Sequence, residues 1–66
     1  MTMKELASLD IHDEVYWEDP DEGLSSGKYR VMEIVTENGR ITDMDDMLVI
    51  ANEAGSVAEV FAAELR

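Results

Sequence analysis

Turn signals cut this chain into pieces too short for long helices. Asp19-Pro20-Asp21-Glu22-Gly23, Glu37-Asn38-Gly39-Arg40, Met44-Asp45-Asp46 and Asn52-Glu53-Ala54-Gly55-Ser56 each interrupt the apolar pattern. Pro fixes φ and removes a backbone donor, and Gly tolerates positive φ, so these clusters end regular structure. The pieces between them carry strand-like patterns. From Ile11 to Glu18, Val15 and Trp17 share one face, with Glu14, Tyr16 and Glu18 on the other. Lys28 to Thr36 is the longest strand predicted. Tyr29 and Val31 alternate in phase there, but the next strongly apolar core position is Ile34. A one-residue slip flips side chains across a sheet, so the pattern predicts a β-bulge or sharp bend at Met32-Glu33. Asn38-Gly39 is the strongest short-range signal for a type I′ hairpin turn. Ile41 to Asp43 follows as a short third strand. Met47 to Ala51 is a fourth, with Leu48 and Ile50 facing the core.

Two readings stand for the last segment. Ser56-Val57-Ala58-Glu59 matches a helix capping box, and Val57, Val60, Phe61 and Leu65 fit a helical stripe. The rival places Ala58 to Phe61 as a strand beside the fourth, followed by one helical turn from Phe61 to Leu65. Four strands would leave the first without a closing partner, which favours strand-then-turn. Five short strands then give an all-β chain, a small closed or nearly closed barrel with a short helical turn near its end. Residues 1–10 carry Met3, Leu6 and Leu9 and form a flexible or docked leader, too short for a helix that stands alone.

With 66 residues the chain is one domain, and a chain this size buries only about 60% of its unfolded surface. It has no Cys to staple so small a core, which suits a reducing cytoplasm. Its opening residues do not read as a signal peptide, and nothing approaches the roughly 20 apolar residues of a membrane span. Net charge is −11, from sixteen acids against five bases. Such a surface repels phosphate backbones and anionic membranes and attracts basic proteins and peptides. Direct nucleic-acid binding is therefore rejected.

The charge is densest from Asp10 to Glu22, where seven acids occur without a Lys or Arg. Val15, Tyr16 and Trp17 lie in the middle, so an aromatic strand runs into an acidic loop. Aromatic groups beside carboxylates can hold an extended peptide while pairing its Lys or Arg. The candidate partner-binding residues are Tyr16, Trp17, Glu18, Asp19, Asp21, Glu22 and Tyr29. The expected function is a non-enzymatic acidic module that binds a basic protein or peptide. The alternative is a DNA mimic, whose carboxylates stand in for phosphates and block a nucleic-acid-binding protein. A third possibility is a structural piece that pairs through an edge strand, making the chain a monomer or weak homodimer.

Catalysis is hard to build from these residues. The lone His12 neighbours Asp13, but adjacent strand side chains point to opposite faces, so the two are no dyad. Asp19-x-Asp21-x-Gly23 partly echoes a calcium loop, yet a Tyr stands at position 29, where that loop needs Glu. No metal or cofactor is expected. The methionines fit gap-filling in a small core.

The run from Asp13-Glu14-Val15-Tyr16-Trp17 through Asp19-Pro20-Asp21-Glu22-Gly23 to Ser26-Gly27-Lys28-Tyr29 and Val31-Met32-Glu33-Ile34 resembles small uncharacterised bacterial proteins with SH3-like barrels. The ending, Glu53-Ala54-Gly55-Ser56 with Ala58-Glu59-Val60 and Glu64-Leu65-Arg66, is similar to theirs as well. The resemblance spans residues 11–66. It implies a small five-stranded SH3-like barrel and supports a strand near the end. It implies no activity. Such barrels often carry Gly before the Asp-Glu-Val that here is Asp13-Glu14-Val15, and this chain has His12 there.

Overall fold

The computed structural model describes residues 1–18 and 27–66. The expected loop at Asp19–Gly23, with Leu24 as its anchor, lies outside the described residues. Strand β1 spans Glu14–Trp17, β2 Gly27–Val35, β3 Met47–Ala51 and β4 Val57–Phe61. They form one open antiparallel sheet in the order β1-β2-β3-β4. Helix α1 (Met3–Ala7) precedes the sheet, and a 3₁₀ turn (Ala62–Glu64) follows it.

Alternation decides which side of each strand is buried. Val15 and Trp17 of β1, Tyr29, Val31 and Ile34 of β2, Leu48 and Ile50 of β3, and Val60 of β4 point to one side. Leu6, Leu9, Ile41, Ala62 and Leu65 close over them. Each buried Leu, Ile or Val side chain contributes roughly 1.5–3 kcal/mol, which carries the fold in the absence of disulfides. Trp17 and Tyr29 meet edge to face, with ring centroids 5.5 Å apart and planes at 84°.

The phase slip in β2 is a register shift. Val31 pairs with Ile50, but the next pair is Glu33 with Val49, so Met32 is the extra residue. The bulge returns Ile34 to the core side.

At the chain's end, β4 and its 3₁₀ turn replace the helix that the capping box favoured. Burying Val60 and Ala62 on the sheet overrides a local signal that a short helix could not sustain.

The first residues are a docked helix. Thr2 caps it, accepting from the Glu5 N–H at 3.2 Å while the Glu5 carboxylate accepts from the Thr2 N–H at 2.9 Å. So short a helix is marginal alone, and buried Leu6 holds it to the sheet.

The expected third strand, Ile41 to Asp43, does not form, which leaves four strands among the described residues. β2 pairs directly with β3 across a loop of residues 36–46. Ile41 is buried, so its apolar character serves as an anchor for that loop. One carboxylate explains why no ladder forms: Asp46 accepts from the Thr42 N–H at 2.6 Å, the Thr42 hydroxyl at 2.9 Å and the Asp43 N–H at 3.0 Å. Those groups are therefore unavailable to a partner strand.

Among the described residues the hydrogen-bonded sheet is open rather than closed. The free side of β1 meets, among the described residues, an isolated antiparallel bridge, Trp17 with Leu65. The Arg66 N–H donates to the Tyr16 carbonyl at 2.8 Å beside it.

An uncovered sheet face as the candidate functional site

A strand with one face in water alternates apolar and polar residues. β3 does not: Met47-Leu48-Val49-Ile50-Ala51 is apolar throughout, the pattern of a strand covered on both sides. Only Leu48 and Ile50 face the core. Met47, Val49 and Ala51 face outward, and the strand pairings set them in rows.

The first row is Val35–Met47–Phe61, one residue from each of β2, β3 and β4. It is apolar from end to end, with Val35 50% and Phe61 46% exposed. The second row is Glu33–Val49–Glu59. Two strand spacings separate its carboxylate-bearing strands, about 10 Å. The third row is Arg30–Ala51–Val57, and Val57 is the most exposed large hydrophobic among the described residues, at 68%. An apolar strip is thus flanked by two acids at its middle and by Arg30 at one end of the same sheet face.

Among the described residues three acids, all in or near β1, are paired with this chain's own cations. Lys28 pairs with Glu14 at 3.5 Å, Arg40 with Asp10 at 3.8 Å and Arg66 with Glu18 at 2.7 Å. Arg30 donates to the His12 carbonyl at 3.2 Å. Neither Glu33 nor Glu59 has a cation partner among the described residues.

The residues singled out from sequence divide. Tyr16 is on the outer side of β1 and half exposed, with Glu18 exposed just beyond the strand. Trp17 and Tyr29 are 8% and 2% exposed and belong to the core. They hold β1 against β2 and offer no aromatic surface to a partner. The Trp17 indole N–H has no hydrogen-bond partner among the described residues, a cost of roughly 1–3 kcal/mol set against burial of the ring. Asp19, Asp21 and Glu22 lie outside the described residues. The acids on either side of Tyr16 in β1's outward series, Glu14 and Glu18, are already paired to this chain's own cations. The aromatic–acidic combination expected around β1 is therefore weaker than the uncovered face of β2, β3 and β4.

Other surfaces carry less. An open groove of about 670 Å³ beside Lys28, Arg30, Met32 and Asn52 is lined by both signs of charge. Among the described residues no three His, Asp or Glu side chains converge as a metal site needs, and no helix is long and apolar enough to cross a membrane. Among the described residues two carboxyls titrate below their ordinary range. Asp46 is lowered chiefly by the Thr42 N–H and then its hydroxyl, and Glu5 by the Thr2 N–H and then its hydroxyl. Glu5 caps α1, and Asp46 holds the 36–46 loop just before Met47.

The uncovered face was readable in principle, since the unbroken apolar run of β3 signals it. That run tells nothing of which acids flank it until the register is known. No family model, no curated protein and no solved structure matches the chain. The fold and the face define a small, mostly-strand protein with one apolar surface bordered by acids.

Proposed function

We propose that this protein is a non-enzymatic acidic interaction module that binds a basic protein or peptide on the outer face of β2, β3 and β4. The observation that carries the reading is the apolar row Val35–Met47–Phe61 beside the unpaired Glu33 and Glu59. Exposed apolar strips rimmed by polar groups mark interaction surfaces. Two carboxylates free of internal cations favour Lys or Arg in the partner, and a net charge of −11 steers basic molecules inward.

The finer fold reading is an SH3-like barrel in which the end of the chain serves as a fifth strand. The Trp17–Leu65 bridge and the hydrogen bond from Arg66 to Tyr16 support it. A DNA mimic rests on charge alone. An apolar row is a feature a phosphate-like surface does not need, so a protein or peptide partner is preferred.

Titration of ¹⁵N-labelled protein with basic peptides of varied apolar content tests the proposal. Amide shifts confined to β2, β3 and β4, and lost in Phe61→Ser, are expected. Shifts spread evenly over the surface and unchanged in that variant would reduce the binding to generic attraction.

A further inference from the structure

We infer that the partner segment is an extended strand that adds to the free edge of β4 with a Lys or Arg opposite Glu59. The inference rests on the function proposed above and specifies its partner.

Hydrogen bonds fix which groups of β4 are free. The Ala62 N–H donates to the Asp46 carbonyl at 2.8 Å, and the Asn52 N–H donates to the Ser56 carbonyl at 3.0 Å. Together with the register these bonds make 46/62, 48/60, 50/58 and 52/56 the hydrogen-bonded pairs between β3 and β4. Backbone groups alternate sides in an antiparallel ladder, so Val57, Glu59 and Phe61 turn theirs to the open edge. The Phe61 N–H is already taken by the Glu64 carboxylate at 2.8 Å. The N–H and C=O groups of Val57 and Glu59 have no partner among the described residues. β4 carries no Lys, no Pro and no bulge, the usual guards of an exposed edge.

Glu59 decides what can occupy this edge. A second copy pairing antiparallel about the strand's centre would set Glu59 opposite Glu59, and like charges directly opposite destabilise a pair. Each copy also carries −11. A foreign strand with Lys or Arg at that position turns the repulsion into attraction. Its outward neighbours two residues away would lie beside Val57 and Phe61, so apolar residues fit there. The recognised pattern is apolar-x-basic-x-apolar in extended form, and its outer face continues the apolar row.

Two peptides of identical composition test this against the full chain. One has a central Arg with Val two residues to each side and Thr elsewhere. In the other the Arg is moved by one position, onto the opposite face of the strand. The first is expected to bind at least about tenfold more tightly and to slow hydrogen exchange at the Val57 and Glu59 amides. Glu59→Gln should erase most of that preference while Trp17 fluorescence reports an unchanged fold. Equal binding of the two peptides with unchanged exchange at those amides would overturn the edge inference and leave the basic-partner function standing. Failure of both peptides, and of other basic peptides as well, would overturn both.

Discussion

Trp17 and Leu65 form a single backbone bridge that ties the end of the chain to its first strand. Both side chains are buried, so the bridge also closes the core where the four-stranded sheet stays open. Leu65→Ala is expected to cost about 2–5 kcal/mol, the usual range for a buried Leu. Urea denaturation followed by Trp17 fluorescence measures it. A loss below about 1 kcal/mol would mean that the sheet holds without this closure.

His12 has a φ of 78°, in the left-handed region, just before β1. Its N–H donates to the Val31 carbonyl at 2.7 Å, and the Val31 N–H donates to the Asp13 carbonyl at 2.9 Å. These bonds hold the backbone in that conformation. The conformation costs a residue with a side chain about 1–2 kcal/mol, while the extra freedom of Gly in the unfolded chain costs about 0.5–1 kcal/mol. His12→Gly should therefore stabilise the protein, by about 0.5–1 kcal/mol. His12→Val should destabilise it, because β-branched residues tolerate this region least. Chemical denaturation of the pair of variants checks the opposite signs.

Asp46 organises the 36–46 loop through three accepted hydrogen bonds, and its carboxyl titrates below the ordinary aspartate range chiefly because of Thr42. The folded state thus favours the ionised form. Its stabilising contribution is complete above the unfolded pKa of about 3.9 and disappears as pH falls through the lower folded value. Asp46→Ala should lower the thermal midpoint at neutral pH, and the gap to the parent protein should close on acidification. A gap that is constant with pH would remove the carboxylate from the account of this loop.

The strand pattern was legible where core alternation was strong. Val31 to Ile34 lost phase by one residue, and Met32 bulges there. At the chain's end, burial of Val60 and Ala62 on the sheet outweighed a good capping box. The third strand failed because Asp46, a loop residue by composition, takes the backbone donors of Thr42 and Asp43. The site was less legible. Trp17 and Tyr29 drew attention as aromatics, but their alternation with polar neighbours already placed them inward. The outward half of β3 is not marked by core alternation, which identifies Leu48 and Ile50 and leaves Met47, Val49 and Ala51 unassigned. Which acids lacked cations depended on pairs distant in sequence, such as Arg66 with Glu18.

Glu59 also bears on oligomeric state. If it guards the edge of β4, the protein should sediment as a monomer and Glu59→Thr should self-associate at the same concentration. Analytical ultracentrifugation compares them. A dimer in the parent protein that Glu59→Thr does not strengthen would contradict a guarding role.

The central claim is that the outer face of β2, β3 and β4 is a docking surface for a basic partner. Isothermal titration of an Arg-centred, Val-flanked strand peptide into the full chain and into Phe61→Ser, in salt of about 0.15 M, tests it most directly. Binding that persists at this salt and weakens at least tenfold in Phe61→Ser, with urea stability within about 0.5 kcal/mol of the parent, is predicted. Equal binding by both proteins, or binding abolished by the salt alone, would contradict it.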